Sequence, residues 1–382
     1  MSDAAAHWRA WGELLRLPNL PSAATNALAG AAIGLLMADP PRSLAAGTDL
    51  RAVAATVAAI VGLYAIGLLL NDLYDLEIDR RERPRRPLPS GRIAPEAAAA
   101  LAAALWPLSL WAFAPAASPG GMVGMSLLAG GAAFVSRRGA RLGQSPGPRT
   151  LLAALAAAAM AAAVLECWSV PRPPGALEIA LLLSGAILLY NRFHDRHAAT
   201  VALPALCRAM AIVLAAAAMG PLSLGGEEAA FPAAAAIVLA LHVMAVGAFV
   251  LAVSLVARGE VASAPGDEPR LRTVASLGRG PAIVVCCGLL VLLPAAMLGA
   301  LPIGEGSTWL HWLAPLACWT LWIRAAAAWR ASDPVPRLVG RWLGSITLLD
   351  AVVLAAIGPL LGAVAVGLHL LSAALSRRFA GS

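Results

Sequence analysis

The chain has 382 residues, of which 60% are hydrophobic and only 13% charged, about half the ~25% charge of an average soluble domain. Its 28 basic residues are all Arg, giving a formal net charge of +7, and the lack of Lys excludes lysine-dependent chemistry such as a Walker A loop or a Schiff base. The arginines sit in short segments between apolar runs, which is a pattern of topology signals and not a nucleic-acid footprint.

In chain order, segment 1–17 interleaves Trp8, Trp11, Leu14 and Leu15 with Arg9, Glu13 and Arg16. This predicts an amphipathic helix on the cytoplasmic membrane surface, and no cleavable signal peptide is evident. Apolar runs then predict eleven spans, at 18–38, 51–70, 94–114, 119–135, 150–167, 176–191, 200–221, 232–257, 281–301, 309–329 and 343–373. Most are near or above the ~20 residues that cross a hydrocarbon core, although the fourth and fifth are short. The expected fold is all-α: a polytopic transmembrane helical bundle over 18–373, followed by a tail at 374–382. Ala and Gly dominate the spans, which favours close helix packing in lipid. Cys167, Cys207, Cys286, Cys287 and Cys318 lie in or beside apolar runs without C-x-x-C spacing and read as small hydrophobes.

Counting Arg orients the bundle. With the N-terminus in the cytoplasm, the inside segments hold 21 Arg and the outside five, namely Arg42, Arg51, Arg172, Arg377 and Arg378. The basic tail is the misfit in this scheme. A bacterial plasma membrane is the expected location.

The chemistry-bearing residues follow the second span. Asn71, Asp75 and Asp79 are spaced i, i+4, i+8, with Asp72 beside them, so a continuous helix would gather four oxygen-bearing side chains on one face. Stacked carboxylates repel unless a cation neutralises them. Oxygen-only ligands suit Mg²⁺, which is commonly completed by substrate phosphates. The arginines that follow, Arg80, Arg81, Arg83, Arg85, Arg86 and Arg92, could hold phosphate oxygens. The plainer alternative is a charged loop whose acids pair with its own arginines.

The string from Asn71 to Ile93 resembles the first aspartate-rich motif of the UbiA-type prenyltransferase superfamily. Asn71, Asp72, Asp75 and Asp79 match, as do Pro84, Arg86, Pro87, Pro89, Ser90 and Gly91. Arg16-Leu17-Pro18-Asn19 and Asn26 resemble the start of the family's first helix. The resemblance implies a nine-helix core around a lipid-facing cavity, with two aspartate-rich segments that bind a prenyl diphosphate through Mg²⁺ on the cytoplasmic side. It implies Asn71, Asp72, Asp75 and Asp79 as the catalytic metal-binding set, Asn26 and Asn191 as substrate contacts, and Arg83, Arg86 and either Arg196 or Arg258 as holders of the diphosphate oxygens, while Arg208, buried within a span, could contact the diphosphate or an acidic acceptor.

The second acidic motif has two candidates. Asn191 and Asp195 give an N-x-x-x-D spacing with Arg196 beside them. Alternatively Glu260 serves, with Arg258 beside it and Asp267 and Glu268 downstream. The second place is preferred because three spans follow it, and residues ~115–170 then hold an inserted helical pair. Other ionisable residues within spans are Arg208, His242, Asp350 and His369, and groups so placed usually face a cavity or a partner. Asp350 could pair with Arg208 or Arg324.

The resulting expectation is a Mg²⁺-dependent membrane enzyme that transfers a prenyl group from an allylic diphosphate to an acceptor, with membrane lipid as its surroundings and no nucleic acid partner. A transporter is the rival, but its ionisable groups would sit near the midplane of repeated halves. A membrane phosphotransferase lacks its expected D-x-x-D-G-x-x-A-R core here. A catalytically inactive scaffold of the same fold is the remaining alternative.

Overall fold

The computed structural model describes residues 3–38, 42, 47–113, 175–193, 198–220, 230–261, 310–327 and 335–379. These form eleven α-helices: α1 Asp3–Leu14, α2 Leu20–Leu36, α3 Gly47–Tyr74, α4 Leu76–Glu82, α5 Pro95–Trp111, α6 Ala176–Phe193, α7 Leu203–Ala217, α8 Ala230–Val261, α9 Leu310–Ala327, α10 Val335–Ile357 and α11 Pro359–Phe379. Short 3₁₀ turns at Leu17–Asn19 and Ala198–Ala202 lead into α2 and α7. No strand occurs among the described residues. Six helical segments are long and apolar enough to cross a membrane, within α3, α6, the Thr200–Ala217 stretch, α8, α10 and α11. The protein is an integral membrane helical bundle. The expected spans 119–135, 150–167 and 281–301 lie outside the described residues.

Helix α2 is central and packs on α3, α7, α8, α10 and α11. Its Ala27, Ala31 and Leu35 join the core of α3, α5, α6 and α7, while Ala29, Ala32, Ile33 and Leu36 join the core of α7 to α11. An almost wholly apolar helix can serve two cores because neither face needs to meet water. The α2–α7 contact depends on small residues. A Cβ at Gly30 or Gly34 would collide with the carbonyl oxygens of Ile212 and Ala216. Such close backbone approach is how membrane helices gain packing contact without a hydrophobic driving force.

Three expectations need correction. The run 343–373 is two helices, because Gly358-Pro359 breaks it: proline has no N–H to donate and crowds the preceding turn. Helices α10 and α11 fold back on each other, with Gly362 against Ala355 at the turn and Ser372 near Gly344 at the other end. The tail is therefore helical to Phe379. Phe379 packs at Gly12, and the Ser372 hydroxyl donates to the Pro18 carbonyl at 2.6 Å. Arg377 and Arg378 thus come to the same side as Arg9 and Arg16, which removes the misfit in the Arg count. Helix α8 continues through Arg258, Gly259 and Glu260, which the sequence assigned to a loop. Finally, α3 runs to Tyr74 and the chain bends at Asp75 before α4, so the four motif residues do not share one uninterrupted helix.

Candidate active site

The first motif is built on the end of α3 and the loop that follows. Asn71 and Asp72 lie on the last turn of α3, Asp75 at the bend, and Asp79 on α4. Helix α4 ends at Glu82, where Arg83 precedes Pro84 and leaves the helical region, as a residue before proline tends to do. The loop then turns back. Ser90 N–H donates to Arg86 O, Gly91 N–H to Leu88 O and Ile93 N–H to Pro87 O. Gly91 has φ +73°, which glycine adopts without steric cost. Leu88 and Ile93 are buried with Leu69, Leu73 and Leu76, together with Ala10 and Leu14 of α1. This apolar seat fixes the polar loop against the bundle end.

The acids are neutralised by guanidinium groups. Arg16 donates from Nη2 to Asp72 Oδ1 at 3.0 Å. Arg86 Nη1 lies 2.6 Å from Asp79 Oδ2 and 3.8 Å from Asp72 Oδ1. Arg83 Nη1 lies 3.9 Å from Asp79 Oδ1. Asn71 Nδ2 donates to Asp75 Oδ2 at 2.9 Å. Asp72 and Asp79 are both buried, with Asp79 only 2% exposed. Each close pairing relieves the repulsion that adjacent carboxylates would otherwise suffer. Among the described residues no group of three His, Cys, Asp or Glu is gathered as a metal cluster. The loop-pairing reading thus holds for Asp79, which binds two arginines of its own loop.

Arg16 is a site residue that the motif reading left out. It caps the turn before α2 at φ 45°, ψ 52°, a left-handed conformation that costs a non-glycine residue ~1–2 kcal/mol. Burial opposes its charge, but the Asp72 carboxylate and the nearby Tyr64 and Tyr190 together outweigh this and hold its pKa above the ordinary arginine value. The sequence signal was available, since this Arg stands directly before the Leu-Pro that starts the first apolar run.

Beneath the motif lies a cavity of about 260 Å³ between α2, α3, α6, α7, α8 and α10. Arg16 and Asn71 line its polar end, and Ile60, Leu63, Ile187 and Val253 are among its apolar walls. Asn191 reaches it from α6. Its Nδ2 donates to Ile187 O at 2.8 Å, while its buried Oδ1 has no hydrogen-bond partner among the described residues. On α3, Gly67 faces Ile187. One turn further along each helix stand Asn71 and Asn191, both lining the cavity.

Arg208, Asn26 and Tyr64 form a second polar group on the cavity wall. Arg208 Nη1 donates to Asn26 Oδ1 and Nη2 to Ser22 Oγ, each at 2.9 Å, and its guanidinium stacks over the Tyr64 ring at 4.5 Å. Asn26 Nδ2 donates to both oxygens of Asp350 at 2.9 Å. Thr25 Oγ1 donates to Asp350 Oδ2 at 2.5 Å, and His242 Nε2 lies 3.0 Å from Asp350 Oδ1. The expected pairing of Asp350 with Arg208 or Arg324 is therefore corrected, because Asn26 stands between Asp350 and Arg208. His369 lies elsewhere, with Nδ1 3.0 Å from Thr347 Oγ1 and joining α11 to α10.

Asp195 and Arg196 lie outside the described residues. Arg258 and Glu260 are placed only as backbone positions on α8, just past the cavity-lining Ser254 and Ala257.

The described residues thus set an acidic, arginine-rich mouth over a largely apolar cavity in a membrane helical bundle. Residues 27–136 match the model of the UbiA prenyltransferase family, the family that the motif resembles. A stretch of 103 residues is 38% identical to the digeranylgeranylglyceryl phosphate synthase of Ignicoccus hospitalis, covering 27% of this chain and 30% of that one. The enzyme of the same name from Methanopyrus kandleri is 41% identical over 90 residues, 24% of this chain and 29% of the relative. That from Saccharolobus solfataricus is 50% identical over 50 residues, 13% and 18% respectively. The matches span less than a third of the length of these curated relatives. A solved structure concerned with digeranylgeranylglyceryl phosphate synthase in membranes aligns over 94% of this chain and 98% of its own, with 16% identity and a TM-score of 0.41.

Proposed function

We propose that this protein transfers a prenyl group from an allylic prenyl diphosphate to a small or lipophilic acceptor inside the membrane. The observation that carries this reading is the cavity whose polar end is formed by Arg16 and Asn71, beside Asp72, and whose remaining wall is largely apolar. A prenyl diphosphate has the same division into a multiply charged head and a hydrocarbon tail.

The donor set fits a hard divalent cation, since Asn71, Asp72 and Asp75 offer only oxygens for coordination at the cavity mouth. These residues would hold Mg²⁺, which supplies charge stabilisation for the departing diphosphate. Arg16 and Arg86 neutralise the acids in the structure. With substrate bound, their guanidinium groups turn to the phosphate oxygens, a geometry that suits them. Asp79 then serves mainly to hold Arg86 and Arg83 in place. As the allylic C–O bond breaks, the positive charge at the mouth stabilises the leaving group. The apolar walls keep water from the allylic cation until a carbon or oxygen nucleophile of the acceptor attacks it and gives up its proton to the departing diphosphate. No protein nucleophile is needed.

For the opposing acid, the register of α8 supports Glu260. Val250, Val253, Ser254 and Ala257 line the cavity, and position 260 is next in that i, i+3, i+7 row on a helix that runs to Val261. Arg258 accompanies it.

Incubating the purified protein with labelled prenyl diphosphates of several lengths and a panel of acceptors tests the reading. Diphosphate release is expected to stop in EDTA, return with Mg²⁺, and be abolished by Asp72→Ala. Undiminished turnover in chelator overturns the metal assignment. Consumption of none of the prenyl diphosphates overturns the reading as a whole.

A further inference from the structure

Arg16 stands at a strained corner of the backbone. Its φ of 45° and ψ of 52° are left-handed, and it is the sole non-glycine residue with positive φ among the described residues. Its Cβ is crowded there by the following carbonyl. Such strain persists only where the surrounding structure over-determines the conformation. Bonds within the turn contribute, since Arg16 N–H donates to Glu13 O at 3.1 Å and Asn19 N–H to Arg16 O at 2.8 Å. They do not fix how α1 lies on the rest of the bundle. Relaxing Arg16 to the right-handed region redirects α1 relative to α2 and carries the guanidinium away from Asp72.

The last helix grips this corner from outside. Before the corner, Phe379 of α11 packs on Gly12, so closely that a Cβ at position 12 would collide with the ring. After it, the Ser372 hydroxyl donates to the Pro18 carbonyl at 2.6 Å. A helical serine can satisfy its hydroxyl on the carbonyl four residues back, as Ser376 does on Ser372. Ser372, 3% exposed, gives its proton to the corner instead. Ser372 and Phe379 are seven residues apart, two turns along one face of α11 and about 10 Å from each other. Gly12 and Pro18 flank Arg16 on either side. One face of one helix thus holds both arms of the corner. Much of the remaining surface of α11 is bare, with Leu360, Val364, Leu370 and Leu371 exposed. Glu13 Oε2, 2.7 Å from Arg92 Nη1, ties the first arm to the loop after the aspartate motif as well.

We propose that Ser372 and Phe379 are positioning residues for the diphosphate end of the cavity: from α11 they clamp the two flanks of Arg16 and so keep its guanidinium at the mouth beside Asp72. The link to diphosphate rests on the prenyltransferase reading, while the clamp on the corner does not. The far end of the chain in this way sets the geometry of a residue near its start.

The test uses the full chain in detergent, with a non-reacting prenyl thiodiphosphate and Mg²⁺ as the probe. Ser372→Ala and Phe379→Ala are each expected to weaken probe binding about three- to tenfold, the worth of one lost contact, and to speed amide exchange over residues 15–19. Ser372→Thr, which keeps the hydroxyl, is expected to bind within about twofold of the wild type. In an Arg16→Gln background the two Ala substitutions are expected to change binding by less than about twofold, because no guanidinium is left to position. Losses of full size in that background overturn the proposal, since they would come from a general loosening of the bundle. So does unchanged exchange over 15–19 in both Ala variants. A wild-type corner that exchanges as fast as the exposed start of α1, residues 5–9, overturns it without recourse to any variant. If the wild type binds no probe, the prenyltransferase reading falls and the positioning role with it, and the exchange result alone decides whether the clamp stands.

Discussion

Replacing Asp79 by Asn separates a loop-organising acid from a metal ligand. Asp79 is 2% exposed and holds Arg86 at 2.6 Å, with Arg83 at 3.9 Å. The amide keeps the shape but removes the charge from a charge-assisted hydrogen bond, which contributes about 1.5–3 kcal/mol. The Arg86 side chain is 29% exposed, so water takes up part of its lost partner, and the loss of folding stability is expected near the lower figure. Once freed, Arg86 no longer presents a fixed guanidinium to the diphosphate. If that weakens binding by a comparable ~1.5–3 kcal/mol, the KM for prenyl diphosphate rises about ten- to a hundredfold. The Mg²⁺ concentration for half-maximal rate is expected to shift less than threefold. The assay is steady-state diphosphate release over a grid of substrate and Mg²⁺ concentrations, with a melting curve for each variant. A tenfold or larger rise in the Mg²⁺ requirement, with KM unchanged at saturating Mg²⁺, refutes the reasoning and returns Asp79 to the ligand set beside Asp72 and Asp75.

Other expectations follow from the same structure. Gly34→Val drives a side chain into the Ala216 carbonyl on α7 and is expected to lower stability by about 1–3 kcal/mol or more; an unchanged melting temperature in detergent contradicts the packing. Glu260→Gln is expected to slow turnover roughly a hundredfold, as loss of transition-state charge stabilisation does, and Asp195→Asn less than threefold; the reverse order places the second acidic site after α6. In a cysteine-free background, Arg85→Cys and Arg378→Cys are expected to label from the side of the membrane opposite to Arg42→Cys, and labelling of positions 85 and 378 from different sides breaks the fold-back of α10 and α11.

Much of the site was legible because its residues are local in sequence. Asn71, Asp72, Asp75 and Asp79 follow an apolar span, and the Pro-Ser-Gly turn after them is set by residues whose backbone preferences are intrinsic. Membrane insertion was equally legible, since hydropathy is a sum over neighbours. The expected uninterrupted helix is bent at Asp75, yet Asn71 still meets Asp75 and Arg86 still reaches both Asp72 and Asp79. The single span 343–373 failed for a visible reason, the Gly358-Pro359 pair, which a hydropathy average passes over because a two-residue break scarcely alters it.

Sequence by itself determined that the chain is a membrane helical bundle and that acids and arginines gather just after its second apolar run. Each of these is a property of segments. Tertiary structure decided the partners. Nothing near Arg16 in the chain indicates that it pairs with Asp72, 56 positions away. Nothing near Asn26 indicates that it stands between Arg208 and Asp350, 182 and 324 positions away. In a bundle where every apolar helix resembles the next, which buried polar groups meet depends on which helices pack, and that is set by small-residue contacts such as those of Gly30 and Gly34 of α2 against α7. Those contacts depend on the close fit of whole helix surfaces, so they emerge only when the bundle is assembled.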